Sequence, residues 1–193
     1  IKTLNLKEGK GGPDAKVTEY KVPTLKEALD LCKGKVLVNI DKGWGFQKDL
    51  YNFLAENGHL ENVMLKGSSL ASTVNLMLDP IEKKYGIRPI YVPLVGGSTD
   101  SVLNTFKSYQ NTGKIPKMFE ITFTGSSFYK NYDETILNAL RGKVRLFVNT
   151  LNDFGTDVDN LTEWKKLDQY KINTIQTDKT AELAAYVKQK YGY

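Results

Sequence analysis

We predict an α/β fold built on a parallel sheet, because apolar segments rich in β-branched residues alternate with amphipathic helices along almost the whole chain. Six strand-like segments are each followed by a helix, and one helix precedes the first of them. Alternation of this kind is typical of parallel sheets with right-handed crossovers. The 193 residues fit a single domain, 1–193. Both an open doubly wound sheet and part of a (β/α)8 barrel agree with the pattern.

The chain opens with residues 1–22, which are rich in glycine and lysine and are expected to form a loop-like lead-in. The first helix is predicted over PTLKEALDLCKG, because Thr24 and Glu27 have the spacing of a capping box. Gly34 is expected to end this helix. The next segment, KVLVNI at 35–40, is mostly apolar and is typical of a strand that is buried on both faces.

The helix–strand unit then repeats before a closing helix. The predicted pairs are FQKDLYNFLAEN with NVMLK, LASTVNLMLDPIEKKY with RPIYVPLV, DSVLNTFKSYQN with KMFEITFT, YDETILNALR with KVRLFVNT, and LTEWKKLDQY with INTIQT. The segment KTAELAAYVKQKY is the closing helix, and Pro80 is expected to kink the helix that contains it. The units share no close sequence similarity, so the regularity is that of a fold and not of a repeat array.

The composition is that of an ordinary globular protein with a mild basic bias. The formal net charge is +5, but the lysines are spread along the chain, so we expect no nucleic-acid binding. Cys32, the only cysteine, excludes an internal disulfide and is expected to be a buried thiol on an apolar helix stripe. His59, the only histidine, follows Gly58 and is expected in a surface loop. No apolar run reaches the roughly 18 residues of a membrane span.

Three segments resemble the glycerophosphodiester phosphodiesterase family, whose fold is a (β/α)8 barrel. YKVPTLKEALDLCKGKVLVNID is similar to the family's Pro-Thr-Leu helix and third strand, which normally ends Asn-Ile-Glu-Ile-Lys. LFVNTLND resembles the seventh strand, usually Trp-Thr-Val-Asn, and KINTIQTDKTAELAAYV resembles the closing strand and helix. Together they span nearly the whole chain in the family's order. The resemblance therefore favours an incomplete TIM-type barrel of about six strands over the open sheet.

The resemblance implies metal-dependent hydrolysis of a small-molecule glycerophosphodiester. Asp41 stands where the family has a glutamate that helps to bind a divalent cation, and it is expected to be a ligand of calcium or magnesium. Lys42 follows it directly, whereas the family's lysine comes two positions after the carboxylate. A catalytic role for Lys42 therefore requires the strand to end or bulge there. The structural alternative for both residues is a polar strand end.

Four further residues are candidates for substrate binding. Lys66 ends one strand, where its ammonium group would suit a phosphate, and Glu120 lies within another, where an inward carboxylate would add a ligand or form a salt bridge. Asn149 replaces the tryptophan of the family's seventh strand. Trp44 follows the third strand and would supply an aromatic platform, although simple packing also suits it. Asp178 is expected to cap the last helix.

The family's acid–base motifs do not occur in this sequence. The resemblance implies two histidines, in a His-Arg-Gly motif and a His-Asp motif on or near the first two strands, and neither motif is present. His59 precedes a strand and would lie at the end of the barrel away from the chemistry. We therefore expect the chain, which starts at Ile1, to be a fragment of a longer hydrolase of lipid metabolism and to be inactive by itself.

Two other hypotheses remain open. One is a non-catalytic phosphate- or polyol-binding barrel that serves in binding or assembly, and the other is an unrelated open-sheet binding protein. A six-stranded piece of a barrel leaves two strand edges uncovered, so a dimer or a missing amino-terminal segment is expected to cover them. A periplasmic or secreted location is expected in preference to a cytoplasmic one.

Overall fold

The computed structural model of the chain shows a curled parallel sheet with helices on its convex side. The described residues are 2–9, 11–96, 98–122, 134–151 and 158–192. Parts of the predicted segments lie outside them, namely residues 1 and 10 of the lead-in, strand residues 123–124, helix residues 132–133, and residues 152–153 of the motif LFVNTLND.

The described strands form a hairpin and a six-stranded parallel sheet. The hairpin consists of β1 (Asn5–Lys7) and β2 (Val17–Lys21). The parallel strands are β3 (Val38–Asn39), β4 (Val63–Gly67), β5 (Ile90–Gly96), β6 (Met118–Thr122), β7 (Arg145–Asn149) and β8 (Thr174–Gln176).

Helices alternate with the parallel strands as the sequence predicts. They are α1 (Leu25–Cys32), α2 (Gln47–Glu56), α3 (Ala71–Tyr85), α4 (Thr99–Asn111), α5 (Glu134–Leu140), α6 (Leu161–Gln169) and α7 (Thr180–Tyr191). The capping box of α1 is confirmed, because Thr24 Oγ1 accepts from the amide of Glu27 and the Glu27 carboxylate accepts from the amide of Thr24. Among the described residues, no helix is long and apolar enough to cross a bilayer.

The strand order identifies the architecture. The six strands follow one another from β3 to β8 in sequence order, and every neighbouring pair is parallel. A doubly wound sheet would instead reverse its order at a switch point. The sheet curls into a half-barrel, and the predicted incomplete TIM-type barrel is therefore confirmed as the fold class.

Successive side chains of each strand point to opposite faces of the sheet. Leu65 and Phe119 point outward into the larger hydrophobic core, which the helices cover. Burial of each such side chain contributes about 1.5–3 kcal/mol. Met64, Val92 and Phe147 point inward and form a smaller cluster. The concave face therefore has an apolar floor, and the polar side chains of the site stand on this face.

The loop expected at residues 1–22 is largely a hairpin. β1 and β2 pair antiparallel, and Thr18 Oγ1 donates to the carbonyl of Leu6 at 2.8 Å. Most of the side chains are exposed on both faces. The sequence therefore lacks the alternation of buried and exposed residues by which a strand is predicted.

The strand predicted over 35–40 is shorter in the structure. β3 contains two residues and is an edge strand, which among the described strands pairs with β4. Val36 and Leu37 precede it and are exposed. Their apolar character indicated a strand of full length, but in the register of the pair they lie before the first residue of β4, Val63.

His59 is buried and not in an exposed loop. Its side chain is 0% exposed, with Nε2 at 2.9 Å from Asp30 Oδ1 and Nδ1 at 3.3 Å from Asn62 Oδ1. The turn after α2 folds against α1, and this contact removes the imidazole from solvent. Cys32, expected to be buried, is half-buried.

Candidate functional site

The concave face carries an ion pair near the carboxyl ends of its strands. Lys66 on β4 and Glu120 on β6 both point inward, and Lys66 Nζ lies 2.7 Å from Glu120 Oε2. The contact reaches across β5, which lies between the two strands, so it depends on the curvature of the sheet. The side chain of Lys66 is 12% exposed and that of Glu120 is 1% exposed. These two predicted substrate-binding residues are thus brought together.

Two further inward side chains surround the ammonium group. Gln176 Oε1 on β8 accepts from Lys66 Nζ at 3.4 Å. The centroid of the Phe147 ring on β7 lies 5.0 Å from the same atom, and a cation over an aromatic face is attracted by the quadrupole of the ring. Lys66 is therefore held between an anion, an aromatic ring and an amide oxygen.

Glu120 is the most buried charged group of the site. The Lys66 ammonium lies 2.7 Å from Oε2, and no further hydrogen-bond partner reaches this oxygen in the described part of the chain. Burial raises the pKa of Glu120, the Lys66 ammonium opposes that rise, and the negative charge of Asp41 adds to it. The effect of Asp41 indicates that a second carboxylate stands near the ion pair.

Asp41 and Lys42 follow β3, which ends at Asn39. Both side chains are exposed. Lys42 has a φ of 56°, in the left-handed region that residues with a β-carbon seldom adopt, and it leads into the short 3-10 helix Gly43–Phe46. The strand thus ends before Lys42, which is the condition for a role of this residue. Within the described ranges, no hydrogen bond or ion pair joins Lys42 to Lys66 or to its partners.

Two asparagine side chains add unused polar groups. Asn149 Oδ1 at the end of β7 accepts from the amide of Leu151 at 2.9 Å, and its NH2 group has no partner among the described residues. Asn39 lies opposite Met64, and its buried Oδ1 likewise has no hydrogen-bond partner there. Buried polar groups are usually paired, so the Asn39 oxygen indicates a place for a polar ligand, and the half-buried Asn149 NH2 group is available to the same ligand.

Trp44 lies in the outer layer of the half-barrel. Its ring contacts Tyr91, at a centroid distance of 4.4 Å, and Tyr51, at 6.5 Å, and Nε1 donates to Ser69 Oγ at 2.8 Å. A β-carbon at Gly67 would lie 2.9 Å from Trp44 Cδ1, so glycine makes room for the indole. These contacts agree with the packing alternative, and they do not bring Trp44 onto the concave face.

A buried aspartate fixes the chain beyond β7 and β8. Asp159 is 2% exposed. Its Oδ1 accepts from Thr150 Oγ1 at 2.8 Å and Trp164 Nε1 at 3.1 Å, and its Oδ2 accepts from the amide of Asp178 at 3.0 Å. Burial acts to raise the pKa of Asp159, but these hydrogen bonds and one from Thr177 outweigh it and lower the pKa.

The expected helix cap at Asp178 is wrong. No side-chain hydrogen bond caps α7 within the residues that the structure describes, and the residue that precedes the helix is Lys179. The Asp178 side chain is exposed, and Thr177 Oγ1 accepts from the amide of Lys179 at 2.8 Å. The threonine orders this turn, while Asp178 takes part through its backbone.

The described residues do not complete a metal site. The described carboxylates of the site are Glu120, which is already paired with the Lys66 ammonium, and Asp41, which stands near the pair. No group of three or more His, Cys, Asp and Glu side chains in these ranges is arranged to hold a metal ion. Calcium takes about 6–8 oxygen ligands and magnesium about six. Asp41 can supply one such ligand, and the full set is not found here.

The sequence patterns did not single out four residues of this region. Three of them had a usable signal. Asn39 and Gln176 are polar side chains that end a strand, and Phe147 lies two residues before Asn149, so it points to the same face. Asp159 had none, since its partners lie 5, 9 and 19 residues away in three different segments and share no regular spacing.

A cavity opens at the amino-terminal ends of the strands, opposite the ion pair, and we call it the second cavity. It has a volume of about 700 Å³, and Met64 and Val92 line its apolar floor. Its basic rim residues are Lys117, Arg141, Lys143, Arg145 and Lys171. None of these five cations forms a salt bridge with a carboxylate of the described residues. The amino-terminal mouth is therefore strongly positive.

The fold and site together define a parallel half-barrel with a nearly buried ion pair at the carboxyl ends of its strands. No protein-family model and no curated protein sequence matches the chain. The crystal structure of a glycerophosphoryl diester phosphodiesterase from Parabacteroides distasonis has a similar fold, with a TM-score of 0.68 and 17% identity over 98% of this chain. The chain spans 62% of the length of that protein.

A second solved structure resembles the chain more weakly. It is dihydrodipicolinate synthase from Oceanobacillus iheyensis, with a TM-score of 0.43 and 16% identity. The match covers 79% of this chain and 54% of the synthase. At these identities, the first likeness shows the fold and the second adds nothing to it.

Proposed function

We propose that this chain forms the phosphodiester-binding wall of a glycerophosphodiester phosphodiesterase and that the intact protein hydrolyses glycerophosphodiesters. The observation that carries the proposal is the nearly buried ammonium group of Lys66 on the concave face. It lies at the carboxyl ends of the strands, where barrel enzymes hold their substrates. The similar fold of a glycerophosphoryl diester phosphodiesterase supports the same function.

The inward side chains have distinct roles in this proposal. Lys66 pairs with a non-bridging phosphate oxygen, and its partial burial strengthens that attraction relative to water. Gln176 and Phe147 orient the ammonium group. Asn149 donates its NH2 group to another oxygen of the ligand. The roles predicted for Lys42 and Trp44 stay predictions, because no described contact links them to Lys66.

The divalent cation and the acid–base pair belong to the proposal for the intact protein. Asp41 would contribute one oxygen ligand to the cation. The other ligands and the two histidines would come from residues other than those described. A bound cation would supply charge stabilisation to the phosphoryl oxygens.

The proposal includes polypeptide that covers the open side of the half-barrel. An amino-terminal segment or a second subunit would pair with the free edges of β3 and β8. The five basic residues around the second cavity predict carboxylates on the covering segment, because burial of unpaired cations is costly.

The alternative function is a non-catalytic phosphate- or polyol-binding barrel. The observation that favours it is the position of His59, which is buried at the amino-terminal end of β4 and cannot serve at the opposite mouth. Such a protein would use Lys66 and Asn149 in the same way and would release its ligand unchanged.

Hydrolysis by the full-length protein tests the proposal against this alternative. Glycerophosphocholine is incubated with magnesium or calcium, and the release of glycerol phosphate is measured. We expect turnover that falls about 100-fold in the double variant Lys66→Met/Glu120→Leu and is unchanged in Lys107→Met, which removes an exposed lysine on α4. Binding of the diester without any turnover would establish the alternative and overturn the enzyme.

A further inference from the structure

The charge of the site is balanced before any ligand binds. Lys66 and Glu120 form a pair with zero net charge, and their side chains are 12% and 1% exposed. The other ionisable group that acts on Glu120 is Asp41. The neighbours on β5, β7 and β8 are uncharged, namely Leu94, Phe147 and Gln176. The site can therefore neutralise little additional charge with its own described residues.

A phosphodiester brings one further negative charge to this pair. If it binds Lys66, the ammonium group must serve both the phosphate and the Glu120 carboxylate, with Asp41 close by. Two anions that share one cation in a poorly solvated site repel each other strongly. The cheapest relief is protonation of the anion that is most buried, which is Glu120.

We infer that Glu120 takes up one proton from solvent when a phosphodiester binds Lys66, and that the resulting carboxylic acid donates a hydrogen bond to the ligand. No covalent bond of the ligand changes in this step. The net charge of Lys66, Glu120 and ligand together is then zero, as it was for the pair before binding. This inference rests on the proposed function, since it requires the ligand to occupy the Lys66 site.

Two further observations support this role. Glu120 Oε2 is buried, faces the Lys66 ammonium at 2.7 Å and has no other hydrogen-bond partner in the described part of the chain, so no described donor stabilises its negative charge once a ligand draws the ammonium away. Burial also raises the pKa of Glu120 in the free protein. The Lys66 ammonium opposes this rise, and the negative charge of Asp41 adds to it. A ligand anion would raise the pKa of Glu120 further, as Asp41 does.

The sign of the pH dependence follows from linkage. Binding that takes up a proton is favoured at low pH, so affinity falls as pH rises between the pKa of Glu120 in the free protein and its higher pKa in the complex. The slope reaches about tenfold per pH unit when one full proton is taken up. Outside this interval the affinity is independent of pH.

Calorimetric titration with dimethyl phosphate, whose charge is constant around neutral pH, tests the inference on the wild-type chain in metal-free buffer, because a divalent cation would neutralise the charge of the ligand. In buffers of different ionisation enthalpy, we expect an uptake approaching one proton within that pH interval. The variant Glu120→Gln imitates the protonated acid, so it should bind with at least wild-type affinity, without proton uptake and with a flat pH profile.

The outcomes separate this inference from the proposed function. Wild-type binding without proton uptake at any pH, together with loss of binding in Lys66→Met/Glu120→Leu, would overturn the role of Glu120 and leave the site intact. Unchanged binding in that double variant would overturn the proposed function itself. Wild-type proton uptake needs no variant, so the test holds even where a substitution impairs folding.

Discussion

Lys66 and Gln176 are 110 residues apart in sequence, yet Lys66 Nζ lies 3.4 Å from Gln176 Oε1. Their strands, β4 and β8, are separated in the sheet by β5, β6 and β7. A flat sheet would hold strands four positions apart at about 19 Å, from the usual strand spacing. The contact is therefore a direct consequence of the curl, and the curl assembles the site.

Removal of Lys66 alone should destabilise the protein more than removal of the whole ion pair. Lys66→Met leaves the Glu120 carboxylate buried without its cation, and we expect a loss of about 3–5 kcal/mol in the free energy of unfolding near neutral pH. Lys66→Met/Glu120→Leu should recover to within about 1 kcal/mol of wild type or exceed it. Urea denaturation of the three proteins measures both values.

The pH dependence of these variants has a definite sign. Burial raises the pKa of Glu120 in the folded protein, so the stability linked to this group is present in acid and lost as pH rises through the folded pKa. Lys66→Met should accentuate this loss, and the double variant should lack it. Equal pH dependence in the single and double variants would contradict the account of the pair.

Asp159 should be a larger contributor to stability than its exposed neighbour Asp178. Asp159→Asn replaces one acceptor oxygen by an NH2 group. This group then faces the donors of Thr150 and Trp164 if it takes the place of Oδ1, or the amide of Asp178 if it takes the place of Oδ2. We expect a loss of about 1–3 kcal/mol in the free energy of unfolding. Asp178→Asn is the matched control and should change stability by less than about 0.5 kcal/mol. Similar effects of the two substitutions would contradict the structure here.

Acid should remove the contribution of Asp159. Its pKa is lowered in the folded protein, so the stability that it provides is present above its ordinary pKa of about 3.9 and is lost as pH falls through the folded value. The difference in unfolding free energy between wild type and Asp159→Asn should therefore narrow in acid. A difference that widens in acid would show that the hydrogen bonds do not favour the ionised form.

Gly67→Ala should displace Trp44. The added β-carbon would meet Trp44 Cδ1 and the Tyr91 hydroxyl, each at 2.9 Å, so we expect a loss of about 1–3 kcal/mol and a changed tryptophan fluorescence spectrum. Gly45→Ala is the control, because a β-carbon there meets no atom within 4 Å. An unshifted spectrum in Gly67→Ala would contradict the described packing of the indole.

His59 should matter for stability and not for ligand binding. His59→Leu removes the contacts with Asp30 and Asn62 and should cost about 1–3 kcal/mol, because the Asn62 side chain loses a buried partner. Diester affinity of the folded variant, measured by calorimetry, should equal that of wild type. A fall in affinity larger than threefold would indicate that His59 acts on the site, against its position at the far end of the sheet.

Local sequence rules predicted the elements that local interactions determine. The capping box of α1 lies within four residues, and the alternation of helices and strands reflects side-chain periodicity. The length of β3 could not be predicted in this way, because it depends on the register with β4. The exposed hairpin escaped prediction because its strands bury no face.

The candidate site was predictable in part. Lys66 and Glu120 were recognisable as inward polar residues of predicted strands, but their 2.7 Å contact across β5 depends on the curvature of the sheet. Burial of His59 depends on Asp30, which is 29 residues away in the chain. Asp159 gathers donors from three separate segments. Such contacts follow from the tertiary fold and leave no spacing pattern in the sequence.

Binding of the diester at Lys66 can be measured directly by an NMR titration of the protein with glycerophosphocholine, in which the side-chain Cε and Nζ signals of the lysines are followed. We expect that Lys66 shows the largest shift, that the shift saturates, and that Lys143 at the second cavity stays unchanged. A Lys66 signal that does not move while the diester binds, or binding reported by Lys143 alone, would contradict a phosphodiester site at Lys66.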